Sequence, residues 1–297
     1  MIFLGTGASE AIPNPFCECE VCRKALASSD PREKRGRSAF SIDERNLIDF
    51  GPDVISAAGR FGLPMSRLRN IFFTHFHSDH CDFVNWENPR MSVTPPPQVR
   101  VFLSEPALTG LKAFRDLILT FPSKDFAQDI RLYEQQIEFI PVRPFEPFRA
   151  DDLTVSAVKT NHKGRFSGET ALNYLFERGG KRFLYASDTG LYCEENYEFL
   201  KGKTLDLLIL ECSFGAQERD RNFDHLTCAH IQEMVERFRK ESVVSERTQI
   251  YLTHIGHKGG LNHTELQQKM RGLVGPQIDV AYDGLKLADL GAWETGY

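Results

Sequence analysis

The chain has 297 residues, of which 41% are hydrophobic and 26% are charged. Its 36 Lys and Arg residues face 41 Asp and Glu residues, which gives a net charge of −5 and an isoelectric point near 6.0. This acidic balance argues against a strongly basic nucleic-acid-binding protein. No apolar run approaches the roughly 20 residues that span a bilayer, and residues 1–5 lack the basic region of a signal peptide. We therefore expect a soluble cytoplasmic protein that buries its own core and does not act at a membrane.

Short runs rich in β-branched and aromatic residues recur along the whole chain. Their length and composition predict strands at residues 47–50, 71–74, 99–103, 153–158, 173–176, 183–186, 207–210 and 250–253. One or two helices are predicted within 105–136, and others after Thr227 and Asn262. Apolar residues at helical spacing over 231–238 support the helix after Thr227. Glu265, three residues after Asn262, suggests a capping box for the helix that follows Asn262. Strands with interspersed helices and no linker predict a single α/β sandwich.

Three of the seven cysteines are crowded into one short segment, at Cys17, Cys19 and Cys22. In a chain without a secretory signal, such a cluster indicates metal ligation rather than disulfides. The spacing of Cys19 and Cys22 is typical of a zinc knuckle, and Cys17 adds a third thiolate. Tetrahedral zinc then requires a fourth ligand from elsewhere in the chain. Reduced, partly exposed thiols are the alternative.

The strongest chemical signal is the segment 75–80, which follows the predicted strand at 71–74 and contains three imidazoles and a carboxylate. His75 and His77 can face one metal ion, while Asp79 and His80 turn toward a second. Imidazole and carboxylate together are the ligands of hydrolytic Zn, Mn or Fe centres. A solvated polar loop is the alternative, and the density of ligands argues against it.

Three later residues, His162, Asp188 and His254, also follow predicted strands. Each would be a weak signal alone, because a single His is more often a hydrogen-bonded structural residue and a strand-end Asp is more often a turn former. Four ligand-bearing segments in the same structural context are a stronger signal. Together they predict a site for two metal ions.

The His-x-His-x-Asp-His pattern at 75–80, with the later His, Asp and His in the same order, resembles the metallo-β-lactamase superfamily. The resemblance implies a four-layer αββα sandwich with two divalent ions, Zn, Mn or Fe, at one edge. It implies that the first ion is held by His75, His77 and His162, the second by Asp79, His80 and His254, and both by Asp188. It further implies that Asp49 supports the ligands without touching the metal. A bridging Asp in place of Cys makes the chain similar to the phosphodiesterase and thioesterase branches.

Further segments resemble one subgroup, the phosphoribosyl 1,2-cyclic phosphate phosphodiesterases of carbon–phosphorus lyase pathways. These segments are 5–8, 17–22, 187–190, 211–214, 253–257 and 281–284. The likeness implies one domain over 1–297, with a knuckle at 17–22 and a variable insert at about 91–150. It implies that Cys17, Cys19, Cys22 and His257 bind a structural zinc. It also implies a homodimer.

His225 resembles an additional active-site His of superfamily phosphodiesterases, which binds a phosphoryl oxygen or protonates the leaving alkoxide. The match is offset, since the corresponding His is expected near Phe223, and a His flanking a helix is the alternative. We interpret His230 and His263 as structural, and Cys212 as buried rather than nucleophilic.

These residues predict a metal-dependent hydrolase that attacks a small anionic phosphodiester, cyclic phosphodiesters included, with a hydroxide held by two metal ions. Asp79 and His225 are its candidate catalytic residues, and Lys163 and Arg165 could steer the substrate. The alternatives are hydrolysis of a thioester or lactone on the same site, and a non-hydrolytic biosynthesis protein resembling the pyrroloquinoline-quinone biosynthesis B protein. A tRNA 3′-end ribonuclease is disfavoured by the acidic charge balance.

Overall fold

The computed structural model describes residues 1–82, 92–94, 98–118 and 136–287. Within these ranges thirteen strands form two sheets. The first contains, in spatial order, β1 (Ile2–Gly5), β2 (Ala39–Ser41), β3 (Asn46–Ile48), β4 (Asn70–Phe72), β5 (Val99–Ser104) and β6 (Ile137–Val142). The second contains β7 (Pro147–Ala150), β8 (Leu153–Lys163), β9 (Thr170–Arg178), β10 (Lys181–Ala186), β11 (Leu207–Glu211), β12 (Gln249–Thr253) and β13 (Ile278–Val280).

Helices cover the outer face of each sheet. They are α1 (Glu20–Ala27), α2 (Val54–Phe61), α3 (Glu105–Ile118), α4 (Glu194–Leu200), α5 (Cys228–Lys240) and α6 (His263–Val274). The Thr227 side chain caps α5, and the capping box predicted for Asn262 and Glu265 is present at the start of α6. None of the helices in the described ranges combines the length and hydropathy that crossing a bilayer requires.

Alternation along the strands builds three apolar layers. On β11, Leu207 and Ile209 face the other sheet, whereas Leu208 and Leu210 face α4, α5 and α6. Aromatic side chains fill the space between the sheets, where the Phe72 ring packs at 5.1 Å from that of Phe176. Because each sheet is apolar on both faces, its central strands are nearly continuous hydrophobic runs, and such runs are readable in a sequence. The predicted αββα sandwich is confirmed.

The structure bears on two predicted segments, the end of the strand at 153–158 and the variable insert at 91–150. Strand β8 continues through Lys163, so His162 lies within the strand. The prediction that His162 follows the strand is therefore wrong. The register of β8 on β9 shifts between Lys159 and Lys163, and this irregularity turns the strand end toward the site. The range 91–150 contains β5, α3, β6 and β7, which belong to the layers of the sandwich. Its residues 91, 95–97 and 119–135 lie outside the described residues, and the single domain stays a prediction.

A buried arginine ties the first strand to the end of the described chain. Arg35 donates from Nη1 to Thr6 Oγ1 at 2.7 Å and to the Ala281 carbonyl at 2.6 Å, and its Nη2 lies 2.9 Å from His263 Nδ1. Thr6 Oγ1 in turn donates to Asp283 Oδ1 at 2.7 Å. Burial lowers the pKa of Arg35 to about 10, so the guanidinium still carries its charge at neutral pH.

Replacing Arg35 with Met should therefore lower the free energy of unfolding by about 3 kcal/mol, because a buried hydrogen-bonded network loses its charged donor. The urea midpoint measures this change. Arg32→Met is the matched control, since Arg32 pairs with Asp30 at the surface and contributes little. Equal urea midpoints for the two variants would contradict the structural role of Arg35.

Candidate metal centre

The predicted ligands lie where strands end at one edge of the sandwich. Strands β3 and β4 run parallel, as do β10, β11 and β12, so their carboxyl ends meet there. Asp49, Asp188 and His254 follow β3, β10 and β12 with φ values of 62°, 52° and 51°. A positive φ is strained for a residue with a side chain and is common at functional sites. This backbone conformation directs each side chain toward the same edge of the sandwich.

Three imidazoles form the first half of the ligand cluster. His75 Nε2 lies 2.9 Å from His77 Nδ1, and His162 Nε2 lies 3.3 Å from the same atom. The candidate ligand atoms of all three lie within 4.8 Å of one another. The structure thus brings together the residues expected to hold one ion.

The second half contains two carboxylates and two imidazoles. Asp79 Oδ2 lies 3.2 Å from His80 Nε2 and 3.5 Å from His254 Nε2. Asp188 reaches the same two imidazoles, at 3.1 Å and 3.4 Å. Asp188 is also grouped with His75, which belongs to the first half. Its position between the halves matches the one expected of a shared ligand.

The donor set fits divalent cations. His80 Nε2 is buried and has no hydrogen-bond partner, although it faces the oxygens of Asp79 and Asp188. A buried polar atom without a partner is uncommon in a folded protein. Nitrogen and carboxylate ligands together suit Zn, Mn or Fe. The residues present therefore fit the two ions that the sequence predicts.

Burial and charge act in opposite directions on the imidazoles. Burial lowers the pKa of His75 well below its usual value, so this ring is neutral, the form that ligates a metal. Burial also lowers the pKa of His80, but Asp188, Asp79 and Asp49 outweigh it and raise that pKa well above its usual value. The carboxylates around His80 thus form a site that favours a cation.

Asp49 lies behind the ligands, as expected of a supporting residue. Its Oδ2 is 2.6 Å from His80 Nδ1, and its Oδ1 accepts the backbone N–H of Thr74 at 2.8 Å. The hydrogen bond at Nδ1 fixes the orientation of the ring and leaves Nε2 to face the cluster.

A buried glutamate that the sequence interpretation gave no role connects three parts of the site. Glu211 Oε1 accepts the backbone N–H of Thr189 at 2.8 Å and lies 2.7 Å from His225 Nδ1. Its Oε2 accepts the Ser213 hydroxyl, which also lies 2.8 Å from His254 Nδ1. Glu211 is the last residue of β11 and directly follows the strand predicted at 207–210, and that position was the available signal.

His225 faces the cluster. Its ring centroid lies 4.5 Å from that of His162 and 6.0 Å from that of His254. Burial lowers the pKa of His225, but the Glu211 carboxylate outweighs it and raises that pKa to about 9. Phe223, near which the family His was expected, packs against this ring at 6.3 Å. The offset match therefore leads to a residue in contact with the site.

Away from this cluster, the predicted knuckle residues also meet. Cys19 Sγ and Cys22 Sγ lie 3.3 Å and 3.4 Å from His257 Nδ1, and Cys17 completes a group within 4.8 Å. Three thiols and one imidazole are a ligand set of structural zinc. Glu10 Oε1 lies 3.3 Å from His257 Nε2, so a carboxylate supports this ligand as well.

The other residues singled out in the sequence lie outside the ligand cluster. His230 Nε2 lies 3.2 Å from the Arg219 carbonyl, and His263 contacts Arg35. Cys212 is fully buried. Lys163 and Arg165 are exposed. A cleft of about 400 Å³ beside the 75–80 loop is lined by Arg37, Arg165, Ser78, Phe76, Phe114 and Phe166, among others.

Comparison with known proteins places the chain in a family. Residues 44–255, more than two thirds of the chain, match the family described as a beta-lactamase superfamily domain. The chain belongs to the metallo-β-lactamase superfamily. The matched range contains Asp49 and all seven residues of the ligand cluster.

Individual proteins also resemble the chain over most of its length. A diphosphatase of the PhnP family is 25% identical, with a TM-score of 0.70 over 96% of this chain and 95% of that one. An octanoyltransferase of Porphyromonas gingivalis is 26% identical over 96% of this chain. A ribonuclease Z of Gloeothece citriformis is 22% identical over 89% of this chain and 94% of that protein. The chain spans only about half the length of the octanoyltransferase, 50%.

We propose that the knuckle of this superfamily member holds one zinc ion. Cys22→Ser should then remove one zinc equivalent per chain, because a tetrahedral site loses a thiolate ligand. Elemental analysis of protein purified from zinc-containing medium measures the loss. Cys193→Ser is the matched control, since Cys193 is an exposed cysteine outside the group. An unchanged zinc content in Cys22→Ser would refute the assignment.

Proposed function

We propose that the protein is a metal-dependent phosphodiesterase that hydrolyses a small anionic phosphodiester, cyclic phosphodiesters included. The observation that carries this proposal is the pairing of His225 with Glu211, which places an imidazole against the ligand cluster at His162. An alkoxide leaving group needs a proton, and a positioned imidazole supplies one. The similarity to a PhnP-family diphosphatase and to a ribonuclease Z supports the same chemistry.

The proposed ligands are the seven residues expected from the sequence, with Asp188 shared between the two ions. Divalent ions in such a site lower the pKa of a bound water and neutralise phosphoryl oxygens. The Asp79 carboxylate is nearly buried at the centre of the cluster, where it can accept a hydrogen bond from the attacking water and orient it. Asp79 thus combines ligation with alignment of the nucleophile.

His225 acts on the other side of the scissile bond. Glu211 occupies Nδ1 of this ring, so Nε2 is the atom that can donate to the leaving oxygen. The N–H of Thr189 and the hydroxyl of Ser213 hold Glu211 in place. The proton donor is therefore fixed through the same carboxylate that supports the His254 side of the cluster.

Two arginines in a cleft beside the cluster support an anionic substrate, and Asp82 lines the same cleft. Arg37 and Arg165 line the cleft beside the 75–80 loop. Arg37 is paired with Asp53, whereas Arg165 is exposed to solvent. A cationic side chain at the mouth of a cleft attracts phosphate esters and aligns them for attack.

An acyl substrate is the second candidate, because the octanoyltransferase relative bears the name of an acyl-transfer enzyme. The same ligand set can activate water toward a thioester or lactone carbonyl. The role of His225 separates a phosphodiester from a thioester, since a thiolate leaves without protonation whereas an alkoxide does not. A lactone also releases an alkoxide, so only direct comparison of phosphodiester with lactone turnover separates those two.

Metal-loaded wild-type protein should hydrolyse bis(p-nitrophenyl) phosphate. Asp79→Ala should reduce this turnover roughly a thousandfold or more, because several kcal/mol of transition-state stabilisation depend on the intact centre. Release of p-nitrophenolate measures the rate, and Asp279→Ala, remote from the cluster on β13, is the control. If fully metal-loaded wild-type protein cleaves thioesters but no phosphodiester, the phosphodiesterase proposal is wrong and the acyl hydrolase replaces it. If it cleaves neither, a non-hydrolytic role is favoured.

The His225→Ala substitution should affect substrates according to their leaving groups. We expect a loss of about 10²- to 10⁴-fold in kcat with a 2′,3′-cyclic nucleotide, whose leaving alkoxide needs a proton. The loss with bis(p-nitrophenyl) phosphate should be much smaller, because p-nitrophenolate leaves unprotonated. His230→Ala serves as the control. Equal losses on both substrates would exclude His225 as the proton donor.

A further inference from the structure

A second buried carboxylate, Glu169, lies beside the ligand loop outside the cluster itself. It precedes β9 by one residue, and only 3% of its surface is exposed. Its Oε1 accepts the backbone N–H of Phe76 at 2.9 Å, and its Oε2 accepts that of Phe166 at 3.0 Å. The backbone N–H of Arg165 is a third donor. Both oxygens therefore bind the main chain, on two separate segments.

No lysine or arginine in the described part of the chain forms an ion pair with Glu169. Burial raises the pKa of this carboxyl, and only the three backbone donors oppose that effect. A buried carboxylate without a cationic partner costs stability unless its hydrogen bonds compensate. The neighbouring backbone is also adapted to it, because a Cβ at Gly164 would overlap the carboxyl carbon of Glu169.

The two segments that Glu169 joins carry the first half of the ligand cluster. Phe76 lies between His75 and His77, while Phe166 begins the turn that follows His162 on β8. These ligands approach the site from different sheets, so their spacing depends on contacts between the segments. The Phe76 and Phe166 rings pack at 5.7 Å, and Leu172 N donates to the Thr74 carbonyl at 2.9 Å. Glu169 provides the charged contact across the same junction.

We propose that Glu169 is a positioning residue that holds the 75–80 loop against the β8–β9 turn and so sets the spacing of His75, His77 and His162. The inference rests on the assignment of these three residues to one metal ion. Glu169 acts through the main chain and touches neither ion nor substrate. Removal of its charge should therefore weaken one metal position and leave the other ligands and the zinc knuckle in place.

The test compares metal binding by Glu169→Gln and wild-type protein. Gln keeps the size of the side chain, but its amide N–H₂ opposes one of the backbone N–H groups. We expect one of the two ions of the cluster to bind about 10- to 100-fold more weakly, as is typical when a supporting partner of a ligand is lost. Titration with Zn²⁺ against a chromogenic chelator gives the affinity of each position, and elemental analysis gives the retained zinc of the knuckle.

Two further variants keep the proposal falsifiable if Glu169→Gln folds poorly. Glu169→Asp retains the charge but cannot span both segments, so its affinity should fall between those of wild type and Gln. Gly164→Ala displaces the carboxylate without changing it and should weaken the same position. Glu177→Gln is the matched control on β9, the strand that Glu169 precedes, where the glutamate pairs with Arg182 at the surface.

The outcomes separate a positioning role from a merely structural one. A lower melting temperature with wild-type affinity for both ions, in any of the three variants that folds, would overturn the proposal. Weakened binding at one position supports it even if wild-type protein cleaves no phosphodiester, because the chelator titration needs no substrate. Failure of the phosphodiesterase assignment is thus distinguishable from failure of this inference.

Discussion

Asp188 makes the contacts on which both halves of the ligand cluster depend. Its carboxylate lies 3.1 Å from His80, which follows a strand of the first sheet, and 3.4 Å from His254, which follows a strand of the second. Between them the two sheets meet mainly through apolar side chains, with ion pairs such as that of Arg178 and Asp43 at the periphery, and Asp188 is a buried charge that contacts residues from both. A buried carboxylate is tolerated there because imidazoles, and in the proposed function two cations, compensate for the water it has lost. The positive φ of Asp188 is the conformational cost of that placement.

Carboxylates that do not belong to the ligand set recur around the cluster and act in one way. Asp49 binds the Thr74 N–H and His80, Glu211 binds the Thr189 N–H and His225, and Glu169 binds the Phe76 N–H. In each case a buried carboxyl side chain from a neighbouring element accepts a main-chain donor next to a functional residue. The backbone fixes the geometry of these hydrogen bonds. The loops are thereby held rigid although they lie outside the sheets.

The ligands could be predicted from the sequence because each follows an apolar run. A polar residue directly after a buried strand leaves a readable signal, as at His75 and Asp188. Glu169 leaves none, since its partner Phe76 is 93 residues away and only the folded chain brings them together. The extension of β8 was missed for a related reason, because the shifted register near His162 depends on pairing with β9. Local periodicity therefore predicts strands and their ends, whereas contacts between ends depend on the tertiary fold.

The fold alone does not select the reaction, because similar chains bear the names of a diphosphatase, an octanoyltransferase and a ribonuclease Z. A site for two divalent ions can activate water toward phosphorus and carbon alike. Hydrolysis of a phosphodiester and hydrolysis of a thioester differ in the leaving group. The residue proposed to protonate the leaving group here is His225. Its Nδ1 lies 2.7 Å from the fully buried Glu211 carboxylate, which leaves Nε2 as the donor in the proposed function. An alkoxide leaving group needs that proton, whereas a thiolate does not. The pairing of Glu211 with His225 is therefore the reason for proposing a phosphodiester rather than a thioester as the substrate.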